Sequence, residues 1–124
     1  MQQPIVILGG FLSQGSLYED FAAVLREVTG QTVFIVATRV IDWFGAAVPW
    51  GWLPLLRRLH RTVAKSAEES KTGRITLIGH SAGGLLGRIY LSPAPFYGVA
   101  FRGLESVSHL ITLGTPHYSN GKLI

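Results

Sequence analysis

The most informative residues of this chain form the stretch Ile75-Thr76-Leu77-Ile78-Gly79-His80-Ser81-Ala82-Gly83-Gly84. It opens as a short apolar run typical of a buried strand, continues as the pattern G-x-S-x-G, and is followed by the apolar spacing of a helix. This order predicts that Ser81 lies on a sharp strand-to-helix turn, with its Oγ clear of the sheet and the N–H of Ala82 directed at the same space. Glycine is expected at positions 79 and 83 because the strand and the helix cross so closely there that a Cβ would collide. A glycine-rich turn with an incidental serine is the alternative explanation.

Length and composition limit the classes of protein to which the chain can belong. Its 124 residues suffice for one domain with a core of its own, and 48% of them are hydrophobic while only 15% are charged. The net charge is +4, but the basic residues are scattered apart from one predicted helix and no nucleic-acid-reading motif accompanies them, so no nucleic-acid partner is expected. The absence of cysteine excludes disulfides, zinc–thiolate sites and a thiol nucleophile.

The sequence shows neither a secretory signal nor a membrane span. Met1-Gln2-Gln3-Pro4 lacks a basic region, and the apolar run that follows is short. The longest uncharged apolar stretch, residues 43–56, is too short to cross a bilayer and contains Pro49 and Pro54. A cytoplasmic or peripheral-membrane location is therefore predicted.

Apolar runs alternate with amphipathic segments along the rest of the chain. The predicted strands are 5–8, 32–36, 74–78 and 109–113, and the predicted helices are 16–29, 55–69 and 85–91. The first helix is expected to begin with a capping box of Ser16 and Glu19, to bury Val24 and Val28 among others, and to end at Gly30. Strands that alternate with helices predict an α/β fold with a mostly parallel sheet and helices on both faces.

The turn after the first strand, Gly9-Gly10-Phe11, is a second candidate part of the site. If the first strand pairs with the strand that precedes Ser81, this turn lies beside the serine, at the switch point where open α/β sheets bind ligands. The N–H groups of Phe11 and Ala82 would then converge on one oxygen and stabilise negative charge on it. The sequence thus predicts Ser81 as a nucleophile, with Phe11 and Ala82 as backbone donors of an oxyanion hole.

These motifs resemble the α/β-hydrolase superfamily, and within it lipase- and esterase-like proteins of the bacterial, cyanobacterial and plastid type, with a more distant likeness to GPI inositol-deacylase-type lipases. The resemblance rests on the Gly10-Phe11 turn, the elbow at 79–84 and the stretch Leu113-Gly114-Thr115-Pro116-His117. Lipases usually have His-Gly at the oxyanion turn, whereas this chain has Gly9-Gly10, so the turn is expected to be supported differently. The resemblance implies a serine hydrolase acting on a small-molecule or lipid ester, with no metal or organic cofactor.

The same resemblance implies a catalytic triad in the chain order nucleophile, acid, histidine. After Ser81 the sequence offers one carboxylate, Glu105, and two histidines, His109 and His117. Because the family places its acid after a later strand, a pair of Glu105 and His117 is the less favoured assignment. Residues 1–124 are instead interpreted as the N-terminal part of a single α/β-hydrolase domain, incomplete at the C-terminus, in which the acid and the histidine are not found.

The same residues also fit other functions. The chain could be a catalytically incomplete fragment or a pseudo-hydrolase with a binding or membrane-associating role, and acyltransferases and thioesterases share the same elbow. Trp43, Trp50 and Trp52 precede a helix rich in arginine, which fits core packing, an acyl pocket or peripheral membrane contact. His80 is expected to point to the other side of the turn, as a core histidine.

Overall fold

The computed structural model describes residues 3–10, 15–115, 118–119 and 122–123. The strands of its main sheet are β1 Ile5–Leu8, β2 Val33–Ile35, β3 Ile75–His80 and β4 Val107–Leu113. Its α-helices are α1 Glu19–Thr29, α2 Leu53–Glu68 and α3 Ala82–Leu91. Two further strands, β5 Tyr118–Ser119 and β6 Lys122–Leu123, pair antiparallel with each other.

The four strands β1 to β4 form one parallel sheet in the order β2-β1-β3-β4. Ile5 of β1 pairs with Val33 of β2 on one side and with Thr76 of β3 on the other. All of β1 is buried, because strands flank it and helices cover both of its faces. The predicted α/β fold with a parallel sheet is confirmed, and so is the pairing of the first strand with the strand that precedes Ser81.

Helices pack on both faces of the sheet. Side chains alternate along β1, so Val6 and Leu8 lie in one apolar cluster with α2 and α3, whereas Ile5 and Ile7 lie in a second cluster with α1. To the first cluster α2 and α3 contribute Leu55, Leu56, Leu59, Val63, Leu86 and Tyr90. To the second cluster α1 contributes Ala22. Removal of this apolar surface from water is the main term that favours the folded chain.

The start of α1 differs from the prediction. Gly15–Tyr18 form a 3-10 helix, the α-helix begins only at Glu19, and no side chain caps it, so the predicted capping box of Ser16 and Glu19 is wrong. The N–H of Gly15 donates to the carbonyl oxygen of Thr38 at 3.1 Å. This bond ties the segment to the chain that follows β2, and the tighter 3-10 turn occupies the positions that a capping box would need.

The end of α1 follows the prediction, but its outer face does not. Gly30 has a φ of 69°, and its N–H donates to the carbonyl oxygen of Arg26 at 2.9 Å, as in a left-handed helix end. Val24 and Val28, which were expected in the core, are 56% and 76% exposed. They are exposed because α1 packs on the sheet through the stripe around Ala22, and both valines lie outside that stripe.

The tryptophan-rich segment, residues 40–52, forms two consecutive 3-10 helices. Trp43 is 2% exposed and belongs to the core, so the predicted membrane contact is wrong for this residue. The half-buried Trp52 donates its indole N–H to the carbonyl oxygen of Ala46 at 2.8 Å, whereas Trp50 is 58% exposed. Over the described ranges, no helix has the length and apolar character needed to span a bilayer.

Candidate active site

Ser81 occupies the turn between β3 and α3 in a backbone conformation that side chains rarely adopt. Its φ is 56° and its ψ is −125°. A residue other than glycine in such a region costs about 1 to 3 kcal/mol and persists only where the surroundings enforce it. Three hydrogen bonds do so here: the N–H of Ser81 donates to Leu113 at 2.8 Å, and its carbonyl oxygen accepts from Gly84 N–H at 3.0 Å and from Thr115 Oγ1 at 2.8 Å.

Glycine on both sides of the serine allows the close crossing of strand and helix. A Cβ at Gly79 would lie 2.6 Å from the Cα of Gly84. A Cβ at Gly83 would overlap the carbonyl oxygens of Leu8 and Gly9, at the end of β1. The prediction that these two glycines are required for close packing is therefore confirmed. The sharp turn leaves Ser81 partly exposed at the carboxyl end of β3.

The turn after β1 lies directly against the serine. A Cβ at Gly10 would come within 2.9 Å of the Cβ of Ser81 and within 3.4 Å of its Oγ. This proximity follows from the pairing of β1 with β3, because the carboxyl ends of neighbouring parallel strands meet at one edge of the sheet. Phe11, the predicted donor on this turn, lies outside the described residues.

The N-terminus of α3 faces the same space. Ala82 is the first residue of the helix, and the N–H groups of a first helical turn have no partner within the helix. The helix dipole adds partial positive charge at this end. Over the part of the chain that the structure describes, no side chain hydrogen-bonds to Ser81 Oγ. The arrangement therefore offers an accessible hydroxyl beside backbone donors suited to a developing negative charge.

His80 has surroundings other than those expected. Its side chain is exposed, so the prediction of a core histidine is wrong. Its Nδ1 lies 2.9 Å from the hydroxyl of Tyr18, and the two rings meet edge to face with centroids 5.7 Å apart. The residue ends β3, where the covering helix α1 begins, and the side chain lies beside an apolar recess of 260 Å³ lined by Tyr18, Phe21, His80 and Leu113.

The other acidic and imidazole groups that the sequence singled out lie elsewhere. Glu105 precedes β4 at the amino end of the sheet, opposite Ser81, and its carboxylate lies 3.9 Å from Arg102. This position contradicts a triad role for Glu105, and His117 lies outside the described residues. His109 on β4 is hydrogen-bonded to the neighbouring Ser108.

The remaining histidine, His60, lies on the exposed surface of α2. Its Nδ1 lies 2.9 Å from the hydroxyl of Tyr90, whose pKa burial raises to about 12. Asp42 accepts the N–H of Arg39 at 2.7 Å and lies 3.5 Å from the guanidinium of Arg58. Among the residues with described positions, no group of three or more histidine, aspartate or glutamate side chains could hold a metal ion.

Two contributors to the site were not identified from the sequence. Thr115 holds the carbonyl of Ser81, and Tyr18 accepts the N–H of Gly10 at 3.0 Å. Tyr18 stands in a segment that the sequence describes only as a helix start, and its partner depends on how α1 meets the sheet. Thr115 lies two residues after the end of β4, the strand that pairs with β3, and that position was the available signal.

Comparison with known proteins supports the architecture. No model of a protein family matches the sequence, and no curated protein matches it. Among solved structures, the chain is similar to an acetylxylan esterase determined at 0.90 Å resolution, with a TM-score of 0.67 and 16% sequence identity. The alignment covers 96% of this chain and 65% of the esterase, so the chain spans less than two thirds of that protein's length. At this identity the likeness shows the fold, an α/β architecture with a parallel sheet between layers of helices.

Proposed function

We propose that the chain belongs to a serine hydrolase that acts on carboxylic esters, of the lipase and esterase type within the α/β-hydrolase superfamily. The observation that carries the proposal is the backbone of Ser81, held at a φ of 56° between β3 and α3 with Gly10 against its side chain. A strained conformation at a partly exposed serine, enforced by three hydrogen bonds, is typical of a functional site. The name of the similar structure, an esterase, agrees with this reaction class.

In this proposal Ser81 Oγ attacks the carbonyl carbon of the ester. The C=O π electrons move to the carbonyl oxygen, which accepts hydrogen bonds from the N–H groups of Ala82 and Phe11. The proton of Oγ passes to a histidine base and then to the leaving alcohol as the C–O bond breaks, which leaves an acyl-serine that water hydrolyses. The histidine and its orienting acid are not assigned among the described residues.

A fluorophosphonate probe tests this proposal, because it reacts with an activated serine and not with ordinary hydroxyls. We expect the folded protein to be labelled on the peptide that contains Ser81, located by mass spectrometry, and the heat-denatured protein to remain unlabelled. Absence of labelling would instead favour the pseudo-hydrolase. If labelling occurs, the ratio of free acid to transferred ester in the presence of an added alcohol distinguishes a hydrolase from an acyltransferase.

A second candidate role, contact with a lipid surface, is favoured by an exposed aromatic patch. Trp50 is 58% exposed and meets Tyr97 edge to face with ring centroids 6.4 Å apart. Arg57 and Arg61 of α2 line a cavity together with the chain just after Tyr97, at residues 99–101. Aromatic rings beside arginines suit the interface of an anionic membrane.

We therefore expect the protein to sediment with vesicles that contain phosphatidylserine and less with vesicles of phosphatidylcholine alone. Each of Arg57→Gln and Arg61→Gln should weaken binding about fivefold, since a basic residue near an anionic surface contributes about 1 kcal/mol. Val28→Gln is the matched control, because this residue is exposed on a helix on the other face of the sheet. Equal binding to both vesicle types would contradict a lipid contact.

A further inference from the structure

Two hydrogen bonds through one hydroxyl connect the turn after β1 to the residue before the nucleophile. The N–H of Gly10 donates to Tyr18 Oη at 3.0 Å, and the same oxygen lies 2.9 Å from His80 Nδ1. The Tyr18 and His80 rings meet edge to face at 63°, which fixes the direction of the phenol. Three parts of the fold are thereby joined: the end of β1, the start of α1 and the end of β3.

The turn needs such an anchor because of its own sequence. Gly9 and Gly10 are consecutive glycines, the residues with the greatest backbone freedom, and a Cβ at Gly10 is excluded by contact with Ser81. A side chain from outside the turn must therefore hold the peptide in place, and Tyr18 does so through the Gly10 N–H.

We assign the protons of this pair from the donor and acceptor capacity of a phenol. The hydroxyl has one proton to donate, and the bond from Gly10 N–H uses the oxygen as acceptor. The proton is then free to be donated to His80 Nδ1, which requires the His80 tautomer that is protonated on Nε2. In this arrangement His80 orients the Tyr18 hydroxyl, and Tyr18 orients the turn.

We propose that Tyr18, oriented by His80, is a positioning residue for the oxyanion hole of this site. It acts by holding the peptide N–H of Gly10, the residue that lies against the side chain of Ser81. The inference rests on the proposed function for its catalytic meaning, while the hydrogen-bond relay itself does not depend on it. Displacing an oxyanion donor costs up to about 10² to 10³ in kcat, so a loosened turn should cost about 10- to 100-fold.

The relay can be tested without any activity by NMR on Tyr18→Phe, which keeps the ring and removes the hydroxyl. We expect the amide proton of Gly10 to exchange at least about tenfold faster, because the variant removes its hydrogen bond to Tyr18 Oη. The exchange of Val6 and Ile7 in the middle of β1 should be unchanged. Long-range nitrogen spectra should show His80 protonated on Nε2 in the original protein and a mixture of tautomers in the variant. Ser16→Ala, which removes an exposed hydroxyl two residues before Tyr18, is the matched control.

The effect of Tyr18 and His80 on catalysis is tested on the full chain with a p-nitrophenyl ester. Tyr18→Phe should lower kcat about 10- to 100-fold with little change in KM, because the turn acts on the transition state. His80→Asn should retain most of kcat, since the Asn oxygen can replace Nδ1 as the acceptor, whereas His80→Leu should lose as much as Tyr18→Phe. A purely structural role would lower the melting temperature of both His80 variants alike and would not separate their kcat values.

Each result has a defined meaning. Unchanged Gly10 exchange and unchanged kcat in Tyr18→Phe would overturn the relay. A labelled Ser81 together with equal kcat for His80→Asn and His80→Leu would overturn the orienting role of His80. An unreactive Ser81 in the original protein would overturn the proposed function and the catalytic meaning of the relay, while the exchange of Gly10 would still measure the hydrogen bond. If Tyr18→Phe fails to fold, the two His80 variants provide the same comparison.

Discussion

In a chain that contains the catalytic histidine, Ser81→Ala is expected to lower kcat for ester hydrolysis by a factor on the order of 10⁴ to 10⁶ without unfolding the protein, because the substitution removes the nucleophilic oxygen. The strained backbone should survive, since its N–H bonds to Leu113 and its carbonyl is held by Thr115 and Gly84, and none of these bonds involves Oγ. Turnover of a p-nitrophenyl ester and circular dichroism of the same samples measure the two expectations separately.

A matched control for this variant is Ser16→Ala, which removes an exposed hydroxyl in the 3-10 segment before α1. It should hydrolyse the ester at the original rate and accept the fluorophosphonate probe. Turnover by Ser81→Ala equal to that of the control would eliminate Ser81 as the nucleophile and, with it, the proposed mechanism. Loss of activity accompanied by loss of the folded signal would indicate that the hydroxyl has a structural role.

Gly83→Ala is expected to destabilise the protein strongly. The added methyl would overlap the carbonyl oxygens of Leu8 and Gly9, and these backbone atoms cannot move without breaking the pairing of β1 with β3. Overpacking against side chains costs about 1 to 3 kcal/mol, and a rigid backbone should cost more. Urea unfolding measures the loss, which should reach at least about 3 kcal/mol.

Gly87→Ala is the natural comparison, because it lies one turn further along the same helix. There the added methyl would lie 3.0 Å from Leu110 Cδ1, the end of a side chain that can shift by a few tenths of an ångström. Alanine is also favoured over glycine inside a helix by about 1 kcal/mol, which offsets the contact. We expect a net change within about 1 kcal/mol. Equal losses for the two variants would show that helix α3 can move away from β1.

The sequence predicts those parts of the structure that depend on neighbouring residues. The turn at Ser81 and the stop at Gly30 follow from local steric rules, and both are present. The position of β1 beside β3 was inferred from the chemistry that two turns would share, and the register confirms it. Local rules therefore predict the individual elements and turns, whereas the pairing of β1 with β3 also needed the assumption of a shared site.

The features that the sequence does not predict depend on contacts between distant residues. Trp43 and Trp50 belong to the same apolar segment, yet one is in the core and the other is exposed, because the 3-10 helices turn them to different sides. Tyr18 and His80 are separated by 62 positions and meet only when α1 packs against the sheet. The hydrophobic periodicity of a sequence describes a single element and gives no information about contacts between distant residues.

The central pair of strands has a consequence for how the chain is made. Ile5 pairs with Thr76, so the partners are 76 − 5 = 71 positions apart in the chain, and the sheet of β1 to β4 is wholly parallel, with no hairpin that could form from adjacent residues. A ribosome adds about 5 to 20 residues per second, so β1 exists for roughly 4 to 14 s before its partner β3. During that interval the apolar run Ile5–Leu8 can pair only with β2, and its other edge is open to any extended chain nearby. One of the two inner strands of this sheet is thus a segment that the nascent chain must keep from aggregating until β3 has been made.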